Sequence, residues 1–327
     1  MNQKIRWGIL STARINHRVI PGIRASRRSE LRAVASRDQA AASRYAAEWN
    51  IPTAYGSYDD LLADPAIDAV YIPLPNGLHK EWAIRAMQAG KHVLCEKPLA
   101  LTVADVDEMA AAAHKAGVVL LEAFMYRANP QTQAVQELIG SGVPGELHLL
   151  RGSFSFVLDR PDDVRWKPDL GGGALWDVGC YPVSYSRMLT GLLPEQVFGA
   201  QASDAHGVDH TFAGGLRFAG GLLAQVDCSF SLPVRTSFEI HGTRGSLYIP
   251  TPFNPTGRTH ITLRRDARDQ RYSFRTRELY QGEVEDMVDA IQNGARPHLS
   301  LSETRDNIAT LCALYESARS STPVIPR

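Results

Sequence analysis

The chain has 327 residues, which is long enough for two domains that each bury a core of their own. Its 35 Lys and Arg residues balance its 35 Asp and Glu residues, so composition excludes the basic field typical of nucleic-acid and anionic-membrane binding. No stretch is long and apolar enough for a membrane span, and the first residues lack a secretory signal pattern. We therefore expect a cytoplasmic protein with a small-molecule partner and neither nucleic acid nor membrane.

The cysteine and histidine residues show no pattern that predicts a bridge or a metal. The four cysteines, Cys95, Cys180, Cys228 and Cys312, are widely spaced and form no C-x-x-C pair. This spacing is typical of reduced thiols rather than a disulfide framework. The ten histidines show no metal-ligand spacing, so we expect no metal site.

The first 122 residues alternate short apolar runs with Ala-rich amphipathic stretches. Helices are predicted over 38–48, 78–90 and 102–116. Strands are predicted for the runs "KIRWGIL", "ELRAVAS", "DAVYIPL", "HVLCE" and "GVVLLEA". This alternation predicts βαβ units and a parallel sheet.

The pattern changes near residue 124, which we take as the boundary between two domains, 1–123 and 124–327. A helix around 131–140 precedes "GELHLLRGSFSFVL", where apolar and polar residues alternate with period two. Further strands are predicted over 208–218, 221–230, 234–241, 244–249 and 259–264, and helices over 281–293 and 302–319. The sequence therefore predicts an α/β protein whose second domain has a large open, mostly antiparallel sheet.

The stretch "WGILSTARIN" at 7–16 has the form of a strand entering a helix through a tight turn. A dinucleotide site needs backbone N–H groups that face the pyrophosphate at this point. Glycines usually allow that approach, and here Ser11 and Ala13 replace them, with Gly8 in the preceding strand. Small residues can serve where φ stays negative. Taken alone, the turn is equally typical of a buried strand and helix without a nucleotide.

The end of the second predicted strand reads "VASRD", where NAD-binding proteins usually have an acidic residue. Ser36 and Arg37 can instead donate hydrogen bonds to a 2′-phosphate. We therefore expect NADP(H) to be preferred over NAD(H). The alternative is a solvated loop arginine that interacts with Asp38.

Three stretches, "PLPNGLH" at 73–79, "CEKPLA" at 95–100 and "GGGALWDVGCYP" at 171–182, resemble the Gfo/Idh/MocA oxidoreductase family over nearly the whole chain. The resemblance implies an N-terminal Rossmann domain for the cofactor and a C-terminal α/β domain for substrate binding and oligomerisation. It also favours the nucleotide interpretation of residues 7–16. An open sheet with an uncovered apolar face would then be buried in a homodimer or homotetramer.

The same resemblance implies three catalytic residues. Lys97 matches the family's active-site lysine, and Asp177 matches the aspartate of the later motif. Tyr181 stands where many relatives have histidine and where the glucose-fructose oxidoreductase and dihydrodiol dehydrogenase branch has tyrosine. Asp177 and Tyr181 are four residues apart on a predicted helix, so we expect them on one face. The alternative is a structural role for Asp177 and core packing for Tyr181.

These residue types suit proton transfer during alcohol oxidation. A lysine ammonium favours the phenolate, so Tyr181 is the expected general acid/base, Lys97 its activator and Asp177 an orienting group. An open alternative is that Lys97 and Tyr181 exchange these roles.

The remaining contacts are expected from loops at the ends of strands. Cofactor contacts are expected from Gly8, Ser11, Thr12, Ala13, Arg14, Ile15, Ser36, Arg37, Pro73, Asn76, His79, Glu96 and Lys97. His79 could equally be a surface residue at the start of a helix. Substrate contacts are expected from Tyr126, Arg127 and Trp166, with core packing as the alternative for each.

Together these features predict an NADP-dependent oxidoreductase that transfers a hydride between the nicotinamide and a carbinol or carbonyl carbon. The expected substrate is a sugar, such as an aldose or anhydro-sugar, or a trans-dihydrodiol. A non-catalytic NADP-binding sensor or regulatory protein is the alternative on the same fold. Redox-neutral, NAD-assisted glycoside cleavage is less favoured because Tyr181 suggests alcohol oxidation.

Overall fold

Two β-sheets organise the chain, each within its own unit of a computed structural model that describes residues 3–327. The first two residues of the predicted first domain lie outside the described residues. One unit contains the chain up to Ala128 together with Glu278–Thr304. The other contains Asn129–Arg277 and Arg305–Arg327. The sequence predicts one domain boundary, between residues 123 and 124, whereas the first unit in the structure is made of two separate segments.

The first unit contains a six-stranded parallel sheet in the order β3-β2-β1-β4-β5-β6. Its strands are β1 (Ile5–Leu10), β2 (Ser29–Ala35), β3 (Thr53–Tyr55), β4 (Ala69–Ile72), β5 (His92–Glu96) and β6 (Leu120–Ala123). Its first helices are α1 (Asn16–Ala25), α2 (Gln39–Trp49), α3 (Tyr58–Ala63), α4 (His79–Gln88) and α5 (Val103–Ala116). This is the doubly wound Rossmann arrangement, in which the strand order reverses between β1 and β4. The predicted parallel sheet is confirmed.

Side-chain caps explain where several of these helices begin. The oxygen atoms of Asp38, Ser57 and Thr102 accept backbone N–H groups in the first turns of α2, α3 and α5. These contacts satisfy donors that a helix cannot pair internally. The capping residues therefore fix the loops that follow the strands of the sheet.

The second unit contains an eight-stranded sheet in the order β14-β13-β12-β11-β7-β10-β9-β8. Its strands are β7 (Leu147–Val157), β8 (Gln196–Ser203), β9 (Asp209–Arg217), β10 (Leu223–Ser229), β11 (Ser231–Gly242), β12 (Gly245–Ile249), β13 (Gly257–Arg265) and β14 (Arg268–Thr276). Helices α6 (Pro130–Gly140) and α7 (Cys180–Thr190) pack against this sheet. Only β7 and β10 pair in parallel, so the predicted open, mostly antiparallel sheet is confirmed.

The other face of this sheet carries polar side chains near its centre, and its burial in an oligomer stays a prediction. Ser153 Oγ donates to Asp227 Oδ1 at 2.7 Å on this face. His241 lies 2.9 Å from Ser246 Oγ and 3.1 Å from Glu239 Oε2. The larger exposed apolar side chains are distributed among these polar groups, at Val157, Phe198, Leu223 and Tyr248. Alternation along β7 and β10 places Leu150, Phe154, Val226 and Cys228 on the covered face.

Two helices follow the second sheet in the chain, α8 (Gln281–Asn293) and α9 (Leu301–Ser320). Helix α8 packs against α1 within the first unit. A Cβ on Gly22 would lie 2.8 Å from the backbone carbon of Tyr280, so only glycine permits this approach. Arg28 extends the contact through ion pairs with Glu285 and Asp289. This packing between distant segments explains why Glu278–Thr304 belongs to the first unit.

Within residues 3–327, no helix combines the length and the apolar character needed to cross a lipid bilayer.

Candidate active site

The turn after β1 lies at the carboxyl end of the sheet, next to the point where the strand order reverses. Ser11 has φ 123°, so the condition that φ stays negative at a non-glycine position is not met at Ser11. Two contacts hold this residue: Ala13 N–H donates to its Oγ at 3.2 Å, and Asn16 Nδ2 donates to its carbonyl at 2.8 Å. Non-glycine residues with such φ values are rare and often lie at ligand sites.

The backbone of this turn provides hydrogen-bond donors for an anion. Helix α1 has no side-chain cap at Ile15. Across residues 3–327, the N–H groups of Thr12, Arg14 and Ile15 have no protein acceptor. Uncapped N–H groups and the positive end of the helix dipole attract phosphate groups. The turn therefore fits the pyrophosphate of a dinucleotide.

The loop after β2 presents a cation. Asp38 is the N-cap of α2, and its carboxylate oxygens accept from Ala40 N–H and Ala41 N–H at 3.1 Å each. Arg37 is exposed, and no ion pair to it is found among the described residues. The alternative pairing of Arg37 with Asp38 is therefore not observed. Ser36 N–H donates to Tyr55 O at 3.0 Å and joins β2 to β3.

Two of the residues expected to contact the cofactor have structural roles in the first unit. A Cβ on Gly8 would lie 2.7 Å from Leu61 Cδ2, so close packing in the core explains this glycine. His79 is fully buried, which corrects the alternative of a surface residue. Its Nε2 lies 2.8 Å from Leu74 O and its Nδ1 lies 2.9 Å from Pro98 O. The His79 ring therefore links two loops and presents no nitrogen to a ligand.

The loop after β4 and the turn after β5 follow neighbouring parallel strands. Pro73 directly follows β4, and Asn76 begins a single 3-10 turn before α4. Glu96 ends β5, where its Oε1 accepts from the Tyr71 hydroxyl and its Oε2 accepts from Lys97 N–H at 3.3 Å. Burial and the neighbouring Glu96 carboxylate hold the pKa of Tyr71 well above its usual range. The contacts of Pro73, Asn76, Glu96 and Lys97 with a cofactor stay predictions.

Two of the three expected substrate contacts lie in the core. The Tyr126 side chain is fully buried and packs edge-on against Phe124, with ring centroids 5.6 Å apart. Arg127 is 6% exposed, and its Nη2 donates to Glu303 Oε1 at 2.7 Å and to His298 O at 2.8 Å. Both assignments to an open cleft are therefore corrected to core packing and an internal ion pair.

In the second unit, Asp177 lies in a π-helical turn, Leu175–Gly179, that leads into α7. Arg165 Nε donates to Asp177 Oδ2 at 2.7 Å, and Arg165 Nη1 donates to Asp163 Oδ1 at 3.0 Å. These two carboxylates raise the pKa of the Arg165 guanidinium further above its usual value. Sequence reasoning chose the next residue, Trp166, whose ring packs edge-on against Phe230 at 5.3 Å, and missed Arg165. The short motif around Arg165 carries no signal for this pairing.

A second residue missed by sequence reasoning, Asp209, holds the start of the π-helical turn. Its Oδ2 accepts from Leu175 N–H at 2.8 Å, and its Oδ1 accepts from the Tyr315 hydroxyl at 2.7 Å. Burial raises the pKa of Asp209 to about 6, although these hydrogen bonds oppose the shift. The glycine-rich motif before Asp177 is therefore positioned by a strand residue that lies far away in sequence.

Tyr181 lies in the first turn of α7 and is 6% exposed. Its ring centroid lies 5.3 Å from that of Phe154 and 5.5 Å from that of Phe253, and these two rings stack on each other. Aromatic packing of the Tyr181 ring is therefore observed. It fixes the ring plane, and the role of the hydroxyl stays a prediction. Because the turn that contains Asp177 is π-helical, the α-helical spacing assumed between Asp177 and Tyr181 does not hold there.

Two family models match the chain. One describes an oxidoreductase family with an NAD-binding Rossmann fold and matches residues 5–124. The other describes the GFO/IDH/MocA C-terminal domain and matches residues 132–248.

Named relatives match over much of their length. D-xylose 1-dehydrogenase (NADP(+)) 2 from Haloferax volcanii is 43% identical over 327 residues, covering 97% of this chain and 98% of the relative. Trans-1,2-dihydrobenzene-1,2-diol dehydrogenase from Mus musculus is 35% identical over 256 residues, covering 77% of this chain and 76% of the relative.

A solved 3-ketoreductase from Actinomadura kijaniata, in complex with NADP and TDP-benzene, has a TM-score of 0.91 and 28% identity, covering 96% of this chain and 98% of that one. Solved variants of that enzyme replace a tyrosine by phenylalanine and a lysine by alanine. These two residues are separated in sequence by the same number of positions as Tyr181 and Lys97. The two family models and the named relatives show that the chain belongs to the Gfo/Idh/MocA family and is an oxidoreductase.

Proposed function

We propose that this protein is an NADP-dependent dehydrogenase or reductase that acts on a CH–OH group of a sugar, an aldose or anhydro-sugar, or of a trans-dihydrodiol. The observation that carries the proposal is the presence of Lys97 and Tyr181 at the separation found for the lysine and tyrosine of the 3-ketoreductase. The relatives that act on xylose, on a dihydrodiol and on a keto group support the same reaction class.

The cofactor proposal depends on two features of the first unit. The acceptor-free N–H groups of Thr12, Arg14 and Ile15 would hold the pyrophosphate at the start of α1. Ser36 and the exposed Arg37 would hold the 2′-phosphate, because a guanidinium matches phosphate geometry with two donors. When bound, the nicotinamide supplies or accepts the hydride.

The proton transfer is assigned to residues of this chain. In the direction of oxidation, Tyr181 takes the proton from the substrate hydroxyl, and in reduction it returns it. The Lys97 ammonium favours the phenolate form of Tyr181 and donates a hydrogen bond to the substrate oxygen. Asp177, held by Arg165, orients the substrate or the tyrosine.

The proposal is tested by following NADPH absorbance with a panel of aldoses, anhydro-ketoses and dihydrodiols. Tyr181→Phe and Lys97→Met should each lower single-turnover hydride transfer by about 10²–10⁴ while NADPH binding is kept. The double variant should lose much less than the product of the two effects, because both changes disable one proton-transfer unit.

Tyr272→Phe and Lys115→Met are matched controls outside the proposed site and should keep the native rate. Native hydride transfer in Tyr181→Phe would contradict the catalytic assignment. A native protein that binds NADPH but converts no member of the panel would favour the non-catalytic sensor.

A further inference from the structure

The turn that carries Lys97 is bonded at three successive residues by three titratable side chains. Glu96 accepts from Lys97 N–H, and His79 Nδ1 contacts Pro98 O at 2.9 Å. Glu122 Oε1 then accepts from Leu99 N–H at 2.9 Å. These contacts satisfy backbone groups at three successive residues, so the orientation of this turn is strongly specified.

Glu122 is the deepest of these carboxylates. It is the third residue of β6, just before Ala123, is 5% exposed, and uses both oxygens. Its Oε1 binds the turn, and its Oε2 accepts from the Thr304 hydroxyl at 2.8 Å. A buried carboxylate with two donors has a fixed position, because moving it would leave a donor or an oxygen unpaired.

Two positively charged side chains, Arg127 and Lys97, act on the Glu122 carboxylate. Burial raises the pKa of Glu122 to about 7, whereas the two hydrogen bonds and the positive charges of Arg127 and Lys97 lower it. Arg127 already forms an ion pair with Glu303 at 2.7 Å. Arg127 therefore has its own carboxylate partner, which leaves Lys97 as the other positive charge that acts on Glu122, and Glu122 is bonded to Leu99, two residues after Lys97.

We propose that Glu122 is a positioning residue for Lys97: its carboxylate fixes the turn through Leu99 N–H and supplies a negative charge that favours the protonated Lys97 amine. The proposal rests on the proposed role of Lys97. Glu122 contacts neither substrate nor cofactor in this scheme. Thr304, by donating to the second oxygen, keeps the carboxylate directed at the turn.

The two roles can be separated with two substitutions. Glu122→Gln keeps an acceptor for Leu99 N–H but removes the charge, so the Lys97 amine should lose its proton at a lower pH. Glu122→Asp keeps the charge but shortens the side chain, so kcat should fall about tenfold or more with little change in KM. A residue that only stabilises the fold would leave the protonation of Lys97 unchanged in Glu122→Gln.

The protonation of Lys97 is measured by NMR after reductive ¹³C-methylation of the full-length protein, and Lys97→Arg identifies its resonance among the six lysines. In Glu122→Gln we expect the Lys97 titration midpoint to fall by roughly one pH unit, while Lys80 and Lys115 keep their midpoints. The alkaline limb of hydride transfer should move in the same direction. An unchanged Lys97 midpoint overturns the proposal.

Glu283→Gln is the matched control. Glu283 is also a buried carboxyl of the first unit and lines the same small cavity as Glu122, but neither of its oxygens bonds the turn. It should leave the Lys97 midpoint in place, and an equal shift would show a general effect of replacing a buried carboxyl and overturn the proposal. If Glu122→Gln fails to fold, native kcat in Glu122→Asp overturns it.

The titration requires no turnover, so the two proposals fail separately. Absence of turnover by the native protein on every substrate would contradict the proposed function and leave the Lys97 titration measurable. Normal turnover with an unchanged midpoint in Glu122→Gln would contradict only the role of Glu122.

Discussion

Arg165 and Asp177 form an ion pair in which Nε donates to Oδ2 at 2.7 Å, with the Asp177 side chain only 13% exposed. Arg165 also binds Asp163, so one guanidinium connects a loop to the π-helical turn of the glycine-rich motif. The orientation of the motif's aspartate therefore depends on a residue outside the motif.

Replacing Arg165 should affect both stability and turnover. Arg165→Met leaves the Asp177 carboxylate without this donor, and we expect about 1–3 kcal/mol lower free energy of unfolding, together with slower turnover. Urea unfolding and steady-state kinetics measure the two effects. Arg160→Met is the control, because Arg160 pairs with Asp163 at 2.9 Å but is more exposed and has no ion pair with Asp177. Equal effects from both variants would contradict the importance of the Asp177 contact.

Cofactor choice should depend on Arg37. We expect the native protein to bind NADP(H) more tightly than NAD(H), and Arg37→Ala to lose most of the difference. A charged bidentate contact contributes roughly 1.5–3 kcal/mol, which corresponds to about ten- to a hundredfold in affinity. Isothermal titration with both cofactors measures this, and Arg44→Ala controls for loss of a positive charge nearby on α2. Identical titration curves for the two cofactors in the native protein would refute the prediction.

Gly173 should not tolerate a side chain. Its φ is 132°, and a Cβ would lie 2.2 Å from Asp209 Oδ1. Gly173→Ala should therefore lower the free energy of unfolding by about 2–4 kcal/mol, since both backbone strain and a steric clash oppose it. At Gly191, φ is 67° and a Cβ meets nothing within 4 Å, so Gly191→Ala should cost only about 1 kcal/mol. Similar unfolding midpoints for the two variants would disprove the steric argument.

Stability should fall as the pH rises from about 4 to about 6 through Asp209. Burial raises the pKa of this carboxyl from 3.8 to about 6, so in this range the folded state binds more protons than the unfolded state. Deprotonation of Asp209 lowers the free energy of unfolding by about 3 kcal/mol, and the whole loss is present above pH 6. Unfolding free energies measured across this range should show a flatter pH dependence in Asp209→Asn than in the native protein. Parallel curves would assign the slope to other groups.

We propose that the protein forms a homodimer or homotetramer through the sheet of the second unit, because Val157, Phe198, Leu223 and Tyr248 expose apolar surface on its strands. Light scattering at micromolar concentration should give a dimeric or tetrameric mass. Leu223→Asp adds a charge to the outer face of this sheet, where Leu223 is 48% exposed, and should lower the mass. Leu192→Asp adds the same charge at a residue outside the sheet that is 42% exposed, and should leave the mass unchanged. A monomeric native protein would exclude the proposal.

Much of this fold could be predicted because short sequence patterns determine where its strands and helices form. The parallel strands are nearly continuous apolar runs, and α2 and α5 begin at capping residues. The edge strand β14 was not predicted because its arginines remove the apolar alternation. Strand β3 and helix α3 are too short to show a period.

The expected catalytic residues were predicted only where a family motif contains them. Lys97, Asp177 and Tyr181 lie in such motifs, whereas Arg165, Asp209 and Glu122 act through partners that are distant in sequence or lie outside any motif. The segment "EAFMYR" suggests Tyr126 and Arg127 as cleft residues, because aromatic faces suit a sugar or an aromatic diol. The structure uses both internally. Burial depends on tertiary packing, which a pattern of residue types does not contain.

The packing of α8 on α1 has a consequence for synthesis of the chain. Translation completes β1–β6 well before α8 leaves the ribosome. Until α8 is made, the surface of α1 around Gly22 stays uncovered. A gene fragment that ends at residue 123 would also leave Arg28 without Glu285 and Asp289. Residues 1–123 therefore do not form a complete domain, and a fusion of this half to another substrate domain would need α8 as well.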